Sequence, residues 1–238
     1  MSKTTKYSIV IPLKNEEGNV KELLGEIKPV MDSVGQPWEI ICVDDGSTDS
    51  TASILKDLTT KEKSLKVITF ERNFGQSSAF DAGFKAAQGE FVITMDGDRQ
   101  NDPNDIPKLI DALGDADLIC GIRRKRRDKF FKRIISRVAN RVRGRLCGDG
   151  MKDTGCSLKI YRTACLQDIK MYHGMHRFLP ALFTIEGFST RQVDVNHRQR
   201  AAGKTKYNIL NRSFNTIADL FAVMWMRKRQ LHYSVKRK

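Results

Sequence analysis

The sequence predicts an α/β fold, a parallel sheet with helices on both faces. Three observations predict it. Apolar runs of strand length alternate with stretches whose apolar residues recur at helical spacing. Several of those runs end in clusters of Asp, Asn and Gly. The 238 residues, 40% hydrophobic and 29% charged, suffice for one large domain or two small ones and exclude disordered and fibrous classes.

The first run, Tyr7 to Pro12, reads as a buried strand closed by proline. Asn15 to Met31 follows as a helix, with Val20, Leu23, Leu24, Ile27 and Val30 on one face. Trp38 to Val43 is the second strand and runs into Asp44, Asp45, Gly46 and Ser47. Thr48 to Leu58 is helical, with Ser47, Thr48 and Asp49 as N-cap residues. Leu65 to Phe70 is the third strand, and Ser77 to Ala87 a helix closed by Gly89. Phe91 to Met95 is the fourth strand, entering Asp96, Gly97 and Asp98. Pro107 to Leu113 is helical and Asp117 to Gly121 is the fifth strand. In such sheets ligands bind outside the carboxyl ends of the strands. The polar clusters Pro12 to Glu16, Asp44-Asp45 and Asp96 to Gln100 are therefore expected to converge on one edge.

Other classes are excluded by what the chain contains. Its longest strictly apolar run, Leu220 to Met226, is far short of the roughly 20 residues a membrane span needs. The polar start, Met1 to Tyr7, does not read as a signal peptide. The five cysteines, Cys42, Cys120, Cys147, Cys156 and Cys165, are odd in number, irregularly spaced and free of any C-x-x-C. They read as free thiols in a reducing cytosol. The four histidines form no metal-binding pair.

The net charge of +14 is local. Arg123 to Arg145 is dense in arginine, with Asp128 as its single acid, and Met224 to Lys238 has no acid. Such segments attract phosphates of nucleic acids, nucleotides or anionic lipids. Arginine suits bidentate phosphate contact. No helix-turn-helix, zinc or RNP-like signature accompanies the charge, so nucleic-acid binding is a remote alternative. The first basic segment carries Phe130, Phe131, Ile134, Ile135 and Val138 and reads as a loop leading into an amphipathic helix. In the tail, Tyr207, Leu210, Phe214, Ile217, Phe221 and Met224 form one apolar stripe, followed by Trp225 and Arg227-Lys228-Arg229. That pattern fits an interfacial helix with aromatic and basic anchors, and equally a helix packed on its own domain or on a partner helix.

Asp96, Asp98 and Gln100 occupy alternate positions after a strand. In an extended segment they point the same way. Three hard oxygen ligands suit Mg²⁺ or Mn²⁺, which would neutralise a diphosphate leaving group. The plain alternative is a polar loop in which Asp102 or Asn104 caps the next helix. A carboxylate at Asp44-Asp45 would accept from a ribose hydroxyl or a base N–H; turn and cap chemistry explains the same residues.

Seven segments occur together in one order: Ile9 to Glu16, Val43 to Ser47, Asn73 to Gly75 with Ala82-Gly83, Met95 to Gln100, Ile134 to Asn140, Asp153 to Cys156, and Arg200 to Lys206. With them the chain resembles glycosyltransferase family 2, in particular its dolichyl-phosphate mannose synthase-like and bacterial polyprenyl-phosphate branch. The resemblance implies a GT-A, Rossmann-like nucleotide-diphosphosugar transferase fold, α/β with a mixed, mainly parallel sheet and helices on both faces. Residues 1–206 would be the catalytic domain, with 123–145 its basic acceptor-side segment, and 207–238 an amphipathic, basic juxtamembrane helix and tail. It implies that Pro12, Glu16, Asp44, Asp45 and Gly97 contact the nucleotide. Asp96, Asp98 and Gln100 would hold Mg²⁺ or Mn²⁺. Arg123, Lys132, Arg133, Ser136 and Arg200 would meet the acceptor phosphate, and Asp96, Asp98, Arg123, Arg200 and Lys206 would form the catalytic set.

The implied reaction is inverting transfer of one hexose from a GDP- or UDP-sugar to a dolichyl or undecaprenyl phosphate, at the cytoplasmic face of a membrane. A lipid phosphate is already anionic near neutral pH, so positioning and charge control suffice. Two residues depart from the pattern: Arg99 stands where leucine is usual, and Thr205 replaces serine. Many bacterial relatives continue into two spanning helices where this sequence ends. Membrane contact is then expected from the tail helix, from basic residues or from a separate membrane subunit. The alternative within the class is a soluble transferase acting on a glycan or glycolipid hydroxyl, with Asp149 or Asp153 as base.

Overall fold

The structure, a computed structural model, describes residues 4–124, 143–199 and 209–231, with side chains from 216 onward in the last segment. Seven strands form one sheet: β1 (Tyr7–Leu13), β2 (Trp38–Asp44), β3 (Leu65–Thr69), β4 (Phe91–Thr94), β5 (Leu118–Arg123), β6 (Lys159–Arg162) and β7 (Thr190–Val195). Their order is β3-β2-β1-β4-β6-β5-β7. β6 runs antiparallel to β4 and β5, and the other pairings are parallel. The labelled helices are α1 (Val20–Val34), α2 (Thr51–Thr59), α3 (Gln76–Ala86), α4 (Ile106–Asp111), α5 (Thr163–Gln167), α6 (Leu179–Ile185) and α7 (Ile209–Arg229).

Strand alternation builds a core on each face of the sheet. Ile9, Ile11 and Leu13 pack with Leu23 and Ile27 of α1 and Leu109 of α4. Val10 and Val92 face the other way, toward Phe80 of α3 and Leu182 and Phe183 of α6. Helix α3 lies close on β1: a Cβ at Gly83 would stand 2.3 Å from Val10 Cγ1. The registers Leu13↔Asp44 and Thr94↔Lys159 bring the ends of β1 and β2, and the end of β4 and start of β6, to one edge.

All five expected strands are present, and β6 and β7 are added to them. Helix α1 starts later than its apolar spacing predicts, at Val20. The preceding residues are held by the loop after β2, with Asn15 N–H donating to Ser47 Oγ (2.8 Å) and Glu16 N–H to Thr51 Oγ1 (2.8 Å). Asp102 caps the 3-10 turn Pro103–Asp105 by accepting from Asn104 N–H (3.0 Å), as the capping alternative expected. The five cysteines are buried free thiols, and burial pushes those of Cys42 and Cys120 up to about 12.

Helix α7 packs on its own domain through part of its length. Val223 is buried against the second core, with Leu220 and Met226 beside it. Ile217 and Phe221 of the expected stripe, and Trp225 after them, are exposed. Arg177 Nη1 donates to Thr216 Oγ1 (2.9 Å), and Arg227 Nη1 reaches the carbonyls of Arg145 (3.4 Å) and Leu146 (3.3 Å). Among the described residues the helix is therefore packed on the domain by one face and exposes Ile217, Phe221 and Trp225 on another. Among the described residues no helix is long and apolar enough to cross a membrane.

Candidate active site

The three polar clusters meet at the edge where β1, β2 and β4 end. Asp44 is buried; its Oδ1 accepts from Ser47 N–H (3.0 Å), while its Oδ2 has no hydrogen-bond partner among the described residues. Asp45 turns elsewhere. It accepts from Phe74 N–H (2.7 Å), Gly75 N–H (3.0 Å) and Asn73 Nδ2 (2.7 Å), and so fixes the turn that opens α3. Gly97 closes the set. A Cβ there would lie 2.4 Å from Leu13 Cδ2, 3.4 Å from Pro12 O and 3.5 Å from Glu16 Cγ. Only glycine lets the loop after β4 rest on the stretch that holds Pro12 and Glu16.

Residues 96–100 form a turn, not the extended segment whose alternation would align Asp96, Asp98 and Gln100. Arg99 takes left-handed backbone (φ 60°), so the chain reverses between Asp98 and Gln100. Asp98 Oδ1 accepts from Gln100 N–H (3.1 Å). Asp96 Oδ1 accepts from Gln76 Nε2 (2.9 Å), and Asp96 N–H donates to Asn101 Oδ1 (3.0 Å), which also accepts from Ser157 Oγ (2.8 Å). Burial pushes the Asp96 carboxyl above the ordinary range, and the charge of Asp98 adds to the shift; Ser157, Lys159 and Arg123 pull it partly back. Arg99, in place of the usual leucine, reaches α1, where its Nε donates to Glu26 Oε1 (3.1 Å). Arg198 pairs with Glu26 and with Asp102 (2.6 Å), and its N–H donates to Gln100 O (2.9 Å). The loop is thus clamped to the segment after β7.

Arg123 is held by Asp153 through two hydrogen bonds (2.7 and 2.8 Å). Arg143 and Asp149 form a second such pair. Beside Asp96 a cavity of about 540 Å³ opens between the sheet edge and α7. Its polar end is Gln76, Thr94, Asp96, Ser157 and Lys159. Its flanks carry Arg143, His176 and Arg177, and its wall is apolar: Phe80, Tyr161, Phe178, Leu179, Ile217 and Leu220. His176 Nδ1 lies 2.6 Å from Ser77 Oγ on α3.

The structure thus brings Pro12, Glu16, Asp44, Gly97, Asp96, Asp98 and Arg123 to one edge and turns Asp45 away into the scaffold. Lys132, Arg133, Ser136, Arg200 and Lys206 lie outside the described residues. Gln76, Asn101, Ser157, Lys159, Arg143, His176 and Arg177 join the site without having been singled out. Ser157 lies just before the antiparallel strand β6 and Lys159 opens it, and that reversal is what carries them to the edge where the others end.

The donor set fits a divalent cation. Asp96 and Asp98 are close enough for their charges to oppose each other, which a cation between them would relieve. Among the described residues no group of three or more His, Cys, Asp or Glu is placed to hold a metal ion by itself. Mg²⁺ and Mn²⁺ commonly take few carboxylates and fill the other positions with water and phosphate oxygens.

Comparison with known proteins agrees with this geometry. Residues 8–170 match the model of the family Glycosyl transferase family 2. The chain is 40% identical over 227 residues to dodecaprenyl-phosphate galacturonate synthase of Rhizobium johnstonii, covering 93% of this chain and 67% of that protein. It is 37% identical over 215 residues to undecaprenyl-phosphate 4-deoxy-4-formamido-L-arabinose transferase of Edwardsiella ictaluri, covering 90% and 66%. The chain therefore spans about two thirds of the length of these relatives. Its fold matches glucosyl-3-phosphoglycerate synthase of Mycobacterium tuberculosis, solved with Mn²⁺, UDP and phosphoglyceric acid, at a TM-score of 0.70 and 18% identity over 96% of this chain and 80% of that one. The seven-stranded sheet is that of the GT-A glycosyltransferases, and the chain belongs to glycosyl transferase family 2, a family of sugar transferases.

Proposed function

We propose that this protein transfers a single hexose, with inversion, from a nucleotide sugar to a polyprenyl phosphate at the cytoplasmic face of a membrane. The observation that carries the reading is the cavity beside Asp96: its lining joins the Asp96 carboxylate to the cationic Arg143, Lys159 and Arg177 and to an apolar wall. An amphiphile with a phosphate head and a hydrocarbon tail matches both halves. The names of the relatives, which act on dodecaprenyl and undecaprenyl phosphate, support the same acceptor class.

In this reading Pro12, Glu16, Asp44 and Gly97 receive the nucleotide. The unpartnered Oδ2 of Asp44 supplies an acceptor for a ribose hydroxyl or base N–H. Asp96 and Asp98 would hold Mg²⁺ or Mn²⁺, which when bound would supply Lewis-acid neutralisation of the departing diphosphate. Lys159, Arg143 and Arg177 of the cavity lining, with Arg123 next to it, would orient an acceptor phosphate, together with Lys132, Arg133, Ser136, Arg200 and Lys206. The phosphate oxygen attacks the anomeric carbon, the bond from that carbon to the diphosphate oxygen breaks, and the nucleoside diphosphate leaves. No base is required because the nucleophile is already anionic. The carboxylates that a hydroxyl acceptor would need as base, Asp149 and Asp153, are instead gripped by Arg143 and Arg123. Residues 1–206 act as the catalytic domain and 207–238 as the membrane-side helix and tail.

The test is transfer of radiolabelled sugar from UDP- and GDP-sugars to short polyprenyl phosphates and to free glycans, with and without Mn²⁺. Metal-dependent transfer to the lipid phosphate, with inverted anomeric configuration by NMR, is expected. Transfer to glycan hydroxyls alone would overturn the acceptor assignment.

A further inference from the structure

On the cation reading above, Asp96 and Asp98 must stay near each other although they carry like charge two positions apart. A loop left to itself would part them. The bend that keeps them together falls at Arg99, in left-handed backbone (φ 60°). A long L side chain rarely adopts that conformation unless something holds it.

The holder stands outside the site, on α1. Glu26 Oε1 accepts from Nε (3.1 Å) and Nη2 of Arg99, and its Oε2 accepts from Nη1 of Arg198. One carboxylate thus grips a guanidinium from the loop after β4 and another from the segment after β7. Arg198 closes the circuit: its Nη2 donates to Asp102 Oδ1 (2.6 Å) and its backbone N–H to Gln100 O (2.9 Å). Beside it, Asn101 and His197 pair as an antiparallel bridge. Asn101 passes the grip on to the other carboxylate, since its Oδ1 accepts from Asp96 N–H (3.0 Å).

The two flanking elements do not need this cluster for their own anchorage. Helix α1 is seated by buried Leu23, Leu24, Ile27 and Met31. Strand β7 is paired with β5 along its whole length, Thr190 to Val195. What the charges of Glu26, Arg99, Arg198 and Asp102 add is the shape of the loop between them. A planar guanidinium fork on a carboxylate fixes direction as well as distance, so the link specifies a geometry and does more than attract.

We propose that Glu26 is a positioning residue for the cation: through Arg99 and Arg198 it holds residues 98–102 in the bend that keeps Asp98 beside Asp96, and so sets the affinity for Mg²⁺ or Mn²⁺ without touching the ion. Partners of this kind, one step behind the ligands, govern metal affinity elsewhere.

Mn²⁺ binding to the whole protein, followed by electron paramagnetic resonance with no sugar donor present, tests this. Glu26→Gln keeps the side-chain shape and removes its charge; the Mn²⁺ Kd should rise about tenfold. Arg99→Leu, which leaves Glu26 its second partner Arg198, should act in the same direction, and it carries the test if Glu26→Gln does not fold. The double variant should bind little worse than the weaker single one, because both changes cut one link. Glu39→Gln is the control, a carboxylate with comparable partners at the far edge of the sheet. It should lower the melting temperature and leave the Mn²⁺ Kd unchanged. In transfer assays Glu26→Gln should need about tenfold more Mn²⁺ for half its maximal rate, with the rate at saturating Mn²⁺ kept within about twofold.

An unchanged Mn²⁺ Kd in folded Glu26→Gln overturns the proposal, even if the protein melts earlier. Additive losses in the double variant overturn it as well. Wild-type protein that transfers sugar without binding Mn²⁺ overturns the cation reading and this proposal with it. Wild-type protein that binds Mn²⁺, loses affinity in Glu26→Gln and transfers no sugar supports the positioning role and removes the transfer reaction alone.

Discussion

The two edges of the sheet treat buried polar groups in opposite ways. At the edge where β1, β2 and β4 begin, Glu39 accepts from Ser8 Oγ (2.6 Å) and Gln88 N–H (2.8 Å), and pairs with Lys66 (2.6 Å). Ser8 Oγ in turn accepts from Gly89 N–H (2.8 Å). Burial alone would raise the Glu39 carboxyl, but the hydrogen bonds from Lys66, Ser8 and Gln88 outweigh it and the net shift is downward. At the edge where the same strands end, Asp96 is shifted upward, Asp44 keeps a buried oxygen without a donor among the described residues, and Arg99 and Asn15 sit in left-handed backbone. One edge is complete without a ligand. In the proposed function the other is completed by a cation and a donor nucleotide, and its left-handed residues fall on that side.

Substitutions can break that contrast. The largest effect belongs to Asp96→Asn, or Asp98→Asn beside it: metal-dependent turnover should fall by about a hundredfold or more. The metal-free Asp96→Asn protein should nonetheless melt about 2–4 °C higher, since the ionised carboxylate is the disfavoured form there. The sign follows from the raised pKa. The penalty is absent at low pH and grows as pH rises through the folded value. Differential scanning calorimetry with and without Mn²⁺ checks both halves, and a lower melting point in Asp96→Asn would merge the two edges into one class.

Glu39→Gln should do the reverse, costing about 2 kcal/mol in urea unfolding with little change in catalysis per folded molecule. Its pKa is lowered, so its contribution is full above the ordinary carboxylate value and is lost as pH falls through the folded one. Urea titrations across the acid range should show a shallower pH dependence in the variant. Gly97→Ala has a smaller effect, about 1 kcal/mol of stability, because its Cβ must displace the buried Leu13. It should also weaken nucleotide binding in isothermal titration. The smallest signal is a null: with thiols buried and pushed up, none of the five cysteines should react with an aromatic disulfide until the chain is unfolded.

Much of this contrast was legible in the sequence. Continuous apolar runs announce the five parallel strands, and the acids directly after β2 and β4 have to fall on the ligand edge of a parallel sheet. What stayed hidden follows from geometry that periodicity does not carry. β6 is only four residues long, Lys-Ile-Tyr-Arg, and its reversal leaves no mark in its composition. β7 lies at the sheet's edge and is largely polar, Thr-Arg-Gln-Val-Asp-Val. The alternation expected for Asp96, Asp98 and Gln100 failed because Arg99 bends the chain, and Arg99 is held by Glu26, 73 positions away. Gln76 and Lys159 act from a helix start and from a reversed strand, places where nothing local distinguishes a site residue from a scaffold one.

Asp45 carries a consequence for how loss-of-activity data should be interpreted. Its carboxylate registers the backbone of Phe74 and Gly75, the next residue is Gln76, and the Gln76 amide holds Asp96. Two adjacent acids at the end of β2 therefore have unlike duties, one open to incoming chemistry and the other acting as a jig for a carboxylate on a different strand. An alanine at Asp45 would abolish activity much as a lost nucleotide contact does, and scanning mutagenesis alone would misattribute a fault in alignment to a fault in recognition.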